Sequence, residues 1–173
     1  MISRRTFITA GLFGAAALAS ARWLRGPHAP PGDATFTALD ADAQAILGAI
    51  VPVLLAGALP VVAEDKRVAI AETMRGIDVA VAGLPPAAQE ELRQLFALLA
   101  LPPSRIAVAH VTVPWEQAGE PEVRACLDRF RGSSLTLLRS AYQALHQLTF
   151  AAWYGNRASW PRIGYPGSPD LTA

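Results

Sequence analysis

The histidines of this chain are the first residues to consider for chemistry, because imidazole is a common metal ligand. A metal site on a helix usually takes two ligands three or four residues apart. None of the three histidines, His28, His110 and His146, has another histidine or a carboxylate at that spacing. The sequence therefore predicts no metal site, and it favours a surface or partly buried side chain for His146.

The carboxylates and serines likewise form no recognisable catalytic arrangement. Glu116, Glu120 and Glu122 flank Gly119 and Pro121, which is typical of a solvated loop rather than of an acid–base pair. A serine hydrolase needs its nucleophile on a sharp turn such as Gly-x-Ser-x-Gly, with a histidine and an acid nearby. The sequence contains no such turn, so we expect no catalytic residue in this chain.

Cys126 is the only cysteine. One cysteine cannot form an internal disulfide, a c-type haem attachment or a cysteine-ligated iron–sulfur site. Its helical context favours a small buried hydrophobic residue, with a reactive or intermolecular thiol as the alternative. A nucleotide or flavin fold is not predicted either, because the one Gly-rich turn, at Gly11 to Gly14, lies inside an apolar leader. We expect no cofactor in this chain.

The first 21 residues have the composition of an export signal. Consecutive arginines followed by Phe and an aliphatic residue are typical of the bacterial twin-arginine route, which carries folded proteins. The residues assigned to signal recognition are Ser3, Arg4, Arg5, Phe7 and Ile8, and those assigned to cleavage are Ala19 and Ala21. The alternatives are a membrane-spanning helix or a basic arm, but the apolar stretch is shorter than the roughly twenty residues that a span needs. Retention of the signal as an uncleaved membrane anchor is a further alternative.

The rest of the chain divides into a linker and one domain. Residues 22–35 are rich in Pro and Gly and read as a linker, and residues 36–173 form the domain. Loss of Arg4 and Arg5 with the signal would leave 13 basic and 14 acidic residues. Because a nucleic-acid-binding domain normally has a clustered basic excess, we expect no nucleic-acid partner.

Helical periodicity recurs throughout this domain, which predicts an all-α fold of about five helices. Asp40 or Asp42 caps the first helix, Pro52 kinks or breaks it, and Gly57 and Pro60 follow its end. The other expected helices run from Ala63 to Val81, from Ala87 to the Pro102-Pro103 pair, from Pro121 to Arg131 and from Ser134 to Tyr154. Ser104 to Gly119 reads as a loop, with a short helix as one alternative.

The last of these helices is expected to be a long core helix. Its predicted apolar stripe consists of Leu135, Leu138, Tyr142, Leu145, Leu148 or Thr149, and Ala152. An unusual tail follows, in which residues 153–165 hold the four aromatics Trp153, Tyr154, Trp160 and Tyr165. Large rings on a backbone shaped by Gly and Pro are typical of interface anchors, or they fold back to cap the domain's own core.

This tail and the helix before it resemble a known family. The resemblance is carried by Trp115-Glu116-Gln117-Ala118, Arg131-Gly132-Ser133-Ser134, Arg139-x-x-Tyr142-x-x-Leu145, Ala152-Trp153-Tyr154-Gly155-Asn156 and Trp160-x-x-Ile163-Gly164-Tyr165-Pro166-Gly167. Over about Leu92 to Pro169 the chain resembles the gluconate 2-dehydrogenase subunit 3 family, and the ending from Trp160 to Gly167 is the most specific part.

The resemblance implies a non-catalytic small subunit of a periplasmic, membrane-associated sugar or alcohol dehydrogenase complex. It implies a catalytic partner of the glucose-methanol-choline flavoprotein class that carries FAD and travels on this chain's twin-arginine signal. A cytochrome c subunit is a further implied partner. The residues carried over, as a structural or partner-contacting motif only, are Trp153, Tyr154, Trp160, Ile163, Gly164, Tyr165, Pro166 and Gly167.

A second hypothesis comes from a different class of protein. In it the chain acts alone in the periplasm, as a helical binding protein for an apolar ligand or as a structural protein. An exposed pocket would favour this alternative. A third hypothesis, an enzyme in its own right, has no support in the residue inventory, so the chain is expected to be an accessory subunit rather than an enzyme.

Overall fold

The computed structural model describes residues 36–164. The predicted signal and linker, and the chain from residue 165 onward, lie outside the described residues. Every regular element between residues 36 and 164 is helical, which confirms the all-α prediction. The five main helices are α1 (Ala41–Leu54), α2 (Ala63–Ala82), α3 (Pro86–Ala100), α4 (Glu120–Gly132) and α5 (Thr136–Gly155). None of the helices in this described part is long and apolar enough to cross a bilayer.

Helix α1 begins where its capping residue predicts. The Asp40 carboxylate accepts a hydrogen bond of 2.9 Å from the Ala43 N–H, which satisfies one of the free donors of the first turn. Pro52 lies inside the last turn of α1 and does not end it, because the helix continues to Leu54. The chain then turns at Gly57, whose φ of 89° is in the left-handed region that glycine adopts easily.

The segment between α3 and α4 is more helical than the sequence predicts. The Pro102-Pro103 pair does not simply close α3; it opens a new turn, Pro102–Ser104, because proline suits the first positions of a helix. This turn continues into a π-helical turn, Arg105–Ala109, which ends at His110 with a φ of 53°. A 3₁₀ turn, Trp115–Gln117, follows. The predicted loop is therefore a series of short helical turns.

Helix α1 is the most enclosed helix of the described domain. It contacts α2, α3, α4 and the Trp115–Gln117 turn. Its side chains Ile46, Leu47, Ile50 and Val51 are fully buried. From the sequence, the length and the apolar stripe of α5 instead favour that helix as the central one.

Helix α5 is a long core helix, as predicted, although its buried residues differ in part from the predicted apolar stripe. The fully buried residues on α5 are Ala141, Leu145, Thr149 and Trp153, and Leu138, Tyr142, Leu148 and Ala152 lie partly buried beside them. The prediction for Leu135 was wrong, since this residue precedes the helix and its side chain is 62% exposed. The helix begins at Thr136, too late to turn Leu135 toward the core.

Helices α2 and α5 approach each other closely at one glycine. A Cβ atom added to Gly76 would lie 3.0 Å from the Cβ of Ala152, so the two backbones meet where both residues are small. This close approach also brings the end of α5 next to Glu72, one turn before Gly76. The Nδ2 of Asn156 donates a hydrogen bond of 2.9 Å to Glu72 Oε2.

A buried carboxylate ties the chain before α1 to the middle of α2. Asp78 is 6% exposed, and its Oδ1 accepts from the Ala38 and Leu39 N–H groups at 2.8 and 2.9 Å. Its Oδ2 accepts from the N–H and the hydroxyl of Thr37, both at 3.0 Å. Burial alone would raise the pKa of this carboxyl, but these four hydrogen bonds together hold the pKa below its ordinary value.

Replacing Asp78 by Asn should destabilise the domain by about 2–4 kcal/mol at pH 7, because buried N–H groups lose a charged acceptor. The folded pKa lies below the unfolded value near 4. The carboxylate therefore stabilises the fold fully above the unfolded pKa, and this contribution disappears as the pH falls through the folded pKa. Urea unfolding at several pH values should show the gap between wild type and Asp78→Asn narrowing below about pH 4. A gap independent of pH would contradict this role.

Candidate functional site

The aromatic tail begins directly at the end of α5. Helix α5 ends at Gly155, and the chain continues as a 3₁₀ helix, Arg157–Ile163. The Asn156 side chain caps this second helix by accepting from the Ala158 N–H at 3.0 Å. Gly164 ends it with a φ of 70°, a left-handed conformation that explains a glycine at this place in the motif.

Hydrogen bonds within the tail fix its shape. The Ser159 hydroxyl is buried and lies within hydrogen-bonding distance of the carbonyl oxygens of Trp153 and Asn156, at 2.6 and 2.7 Å. The indole Nε1 of Trp160 donates to the Tyr154 carbonyl at 2.8 Å. The aromatic residues are therefore held in place without any partner protein.

The rings of this segment divide between the core and the surface. Trp153 is only 2% exposed and belongs to the core, whereas Tyr154 is 49% exposed and Trp160 is half-buried. The guanidinium carbon of Arg157 lies 5.7 Å from the Trp160 ring centroid, in reach of a cation–π contact. The two predicted roles of the aromatic residues, capping the core and contacting a partner, thus belong to different residues. Trp153 fills the core, whereas the surface of the segment carries an exposed aromatic edge formed by Tyr154, Arg157 and Trp160.

Other residues of the quoted motifs have structural contacts. The Nε1 of Trp115 donates to the Leu99 carbonyl at 2.8 Å from a buried position. Arg139 donates to the Ser133 carbonyl at 2.6 Å and so holds the turn between α4 and α5. These contacts give a structural reason for Trp115 and Arg139, which the sequence alone did not supply.

A row of neighbouring rings along α5 was not predicted from the sequence. Tyr142, His146, Phe150 and Tyr154 follow one another at four-residue spacing, with ring centroids 5.7, 4.2 and 5.8 Å apart. His146 lies nearly parallel to Phe150, at an interplanar angle of 18°. The four-residue spacing was the available signal, because side chains at i and i+4 are neighbours on a helix. His146 is a half-buried stacking residue, in agreement with its predicted position.

The prediction of a loop for Glu120 and Glu122 was wrong, because both residues lie in the first turn of α4. Their carboxylates bind different partners. Glu122 accepts from the N–H of Thr112 at 2.7 Å, and Glu120 pairs with Arg124 at 2.6 Å on the surface of α4. Among residues 36–164, no group of three or more His, Cys, Asp or Glu side chains is placed to hold a metal ion. Nothing in these contacts brings the carboxylates together as an acid–base pair.

An open apolar groove, the α3–α5 groove, lies between these two helices and the end of α2. Its volume is about 550 Å³. The groove is lined mainly by aliphatic side chains, among them Leu84, Leu92, Leu95, Leu137 and Leu148, with Glu91 and Gln147 as its longer polar side chains. A volume of this size falls in the range of small-molecule sites, roughly 300–1,000 Å³.

Several predicted site residues lie outside the described residues. These are the signal residues Ser3, Arg4, Arg5, Phe7 and Ile8, the cleavage residues Ala19 and Ala21, and the final motif residues Tyr165, Pro166 and Gly167. Ile163 belongs to the 3₁₀ helix by its backbone. Their predicted roles stay predictions.

Comparison with known proteins does not assign this chain to a family. No protein-family model, curated protein or solved structure matches this chain. The resemblance to the gluconate 2-dehydrogenase subunit 3 family therefore stays a prediction that is carried by the motif residues alone.

Cys126 is buried, as its helical context predicts. Burial raises the pKa of its thiol to about 11. At pH 8 the thiolate fraction is then on the order of a hundredfold lower than for an ordinary cysteine. We expect native protein to react with iodoacetamide at least a hundredfold more slowly than the same chain in 8 M urea, measured by mass spectrometry. Equal rates would show that the thiol is accessible.

Proposed function

We propose that this chain is the non-catalytic small subunit of a periplasmic FAD-dependent sugar or alcohol dehydrogenase complex. The observation that carries the proposal is the exposed aromatic edge of Tyr154, Arg157 and Trp160, whose backbone is fixed by the Ser159 and Trp160 hydrogen bonds. Preorganised aromatic and arginine side chains are effective interface anchors, because little entropy is lost when they bind. This edge lies in the segment that carries the family resemblance.

The predicted export signal supports the proposal, because a partner loaded with FAD needs a route that carries folded proteins. A flavoprotein acquires FAD where the cofactor is made, so the loaded enzyme must cross the membrane folded. Arg4 and Arg5 direct this chain to a route that carries folded proteins. A flavoprotein of the glucose-methanol-choline class, held tightly by this subunit, crosses on the same signal. Substrate chemistry and FAD then belong to the partner, and a cytochrome c subunit completes the complex at the membrane.

Replacing Arg4 and Arg5 together by Lys should abolish export of the partner. The test is co-expression with a signal-less flavoprotein of the glucose-methanol-choline class from the same genome, followed by dehydrogenase assay of the periplasmic and cytoplasmic fractions. We expect periplasmic activity to fall at least tenfold while cytoplasmic activity rises. Full periplasmic activity in this variant would refute the escort role.

The aromatic edge is tested by capture of the co-expressed flavoprotein on the tagged small subunit. Tyr154→Ala should lower capture of the flavoprotein by the tagged small subunit at least tenfold, as expected for an interface anchor worth 1.4 kcal/mol or more. Val79→Ala, an exposed apolar residue of α2 that lies outside the tail, is the matched control and should capture normally. Equal capture by both variants would show that the flavoprotein binds a different surface of this chain.

The α3–α5 groove favours the second candidate, a stand-alone binding protein for an apolar ligand. In that case the full chain should bind the apolar dye 1-anilinonaphthalene-8-sulfonate with a Kd of micromolar order, about 8 kcal/mol of binding free energy. Ala144→Phe, which places a larger ring in the groove lining, should weaken this binding at least fivefold. Binding of this kind, together with failure to capture the flavoprotein, would replace the accessory-subunit proposal.

A further inference from the structure

The turn between α4 and α5 leaves two leucines in water. Leu135 is 62% exposed and Leu137 is 68% exposed. The Leu135 N–H donates to the Ser133 hydroxyl at 3.1 Å, which fixes the backbone of the turn. We name residues 131–139 the leucine corner. Single exposed apolar side chains are ordinary, but two large ones on one turn indicate contact with an apolar environment.

Arginines flank the two leucines. Arg131 lies in the last turn of α4 and is exposed. Arg139 donates to the Ser133 carbonyl at 2.6 Å and to the Thr136 hydroxyl at 3.2 Å, so its guanidinium lies at the corner. The Asp128 carboxylate is 3.1 Å from Arg131, but an exposed ion pair of this kind contributes little to stability. Arg131 can therefore exchange Asp128 for another anion.

The charges of the chain are distributed unequally on the two sides of this corner. Residues 36–128 contain twelve Asp or Glu and six Lys or Arg, whereas residues 129–164 contain five arginines and no carboxylate. The first turn of α5 likewise holds no acidic residue. The α3–α5 groove, which Leu137 also lines, adds one carboxylate, Glu91. The surroundings of the leucine corner therefore stay positive, which favours an anionic partner.

We propose that the leucine corner docks on the surface of an anionic lipid bilayer. Leu135 and Leu137 enter the boundary between the headgroups and the acyl chains, while Arg131 and Arg139 bind lipid phosphates at the headgroup level. The domain lies on the membrane through this corner and does not cross it. The inference does not depend on the proposed function, because it needs only the folded domain of this chain.

The residue types favour a bilayer over an acidic protein surface. The residues that contribute most to protein interfaces are mainly Trp, Tyr and Arg, and leucine is under-represented among them. An acidic protein would attract the arginines of the corner but would gain little from the leucines. A bilayer offers phosphate groups and hydrocarbon side by side, so it satisfies both kinds of side chain at once.

The leucine corner and the aromatic edge lie at opposite ends of α5. The helix has 20 residues, Thr136–Gly155, and at 1.5 Å per residue its length is about 30 Å. The corner and the aromatic edge share no residue. A bilayer at the first end and a protein at the second can therefore be bound at the same time.

The test uses the full chain with one fluorescent label. Cys126 is buried and the pKa of its thiol is raised to about 11, so a surface cysteine is labelled selectively. Ser134→Cys places the fluorophore NBD, whose emission rises when it leaves water, within the corner. Ala71→Cys places it at an exposed position beside Glu72, which binds Asn156 at the far end of α5.

The labelled chains are titrated with vesicles of phosphatidylglycerol and phosphatidylcholine in equal parts, and with vesicles of phosphatidylcholine alone. We expect the emission of the Ser134→Cys label to rise at least twofold with the anionic vesicles, and high salt to reverse the rise. The Ala71→Cys label should not respond. Because both chains carry the same N-terminal segment, this comparison separates docking of the corner from attachment through that segment.

A pair of matched variants tests the leucines in the chain labelled at residue 134. Leu135→Ser with Leu137→Ser should weaken binding to the anionic vesicles at least tenfold. Val62→Ser with Val79→Ser removes two apolar side chains that are 61% and 72% exposed and lie outside the corner, and it should bind normally. Thermal unfolding checks that both double variants remain folded.

A second pair tests the charge and leaves the turn contacts of Arg139 intact. Arg131→Glu should weaken binding to the anionic vesicles at least fivefold, as expected for one cationic side chain near an anionic surface. Arg67→Glu is its control, because Arg67 forms an exposed pair with Glu64 at the same three-residue spacing. The control should bind normally.

Four outcomes would overturn the proposal: no response at residue 134, an equal response at residue 71, equal binding of vesicles without anionic lipid, or equal losses in the variants and their controls. A response to soluble poly-glutamate as large as that to vesicles would also overturn it, because the corner would then bind acidic polypeptides. These outcomes are separate from the export assay, since a chain that exports its partner without binding vesicles loses only the membrane docking.

Discussion

The buried carboxylate of Asp78 is the interaction on which the arrangement of the described domain depends. The segment that leads into α1 has no regular structure, so its N–H groups need acceptors when they are buried. Asp78 supplies them from the middle of α2, through contacts with Thr37, Ala38 and Leu39. Helix α1, the most enclosed element, is thereby attached to α2 through the residues that precede it. A charged acceptor with several donors is stable in such a place, because its desolvation is offset by its hydrogen bonds.

The position of α2 then determines the position of the tail. Two residues before Asp78, Gly76 lets α5 approach closely at Ala152, and one turn earlier Glu72 binds Asn156 just beyond the end of α5. Helix α2 thus binds the segment before α1 through Asp78 and the residue after α5 through Glu72. A shift of α2 along its axis would disturb both ends together. The start of the aromatic edge is thereby fixed relative to α2, and a fixed backbone is what an interface anchor requires.

Local chemistry explains which features could be predicted from the sequence. Asp40, Gly57 and Pro121 mark helix ends by capping, by following the last turn or by suiting the first turn, and these effects involve only neighbouring residues. Leu135, the π-helical turn at Arg105–Ala109 and the Asp78 contacts depend on the packing of distant elements. For the candidate site, the motif identified Trp153, Tyr154 and Trp160, but not which ring is buried. Trp153 is the buried ring because the Ser159 hydroxyl bonds to its carbonyl oxygen and because its side chain fits against α2.

The division of roles within the tail reconciles the two interpretations of its aromatic residues. A segment that only capped the core would bury its rings, and one that only bound a partner would depend on that partner for its shape. Here Trp153 anchors the segment inside the domain, and the Trp160 indole binds the Tyr154 carbonyl to hold the exposed part. Consecutive residues, Trp153 and Tyr154, therefore face opposite environments. Because the carbonyl groups of both residues are used to fix the turn, the side chain of Tyr154 stays available for contact with another protein.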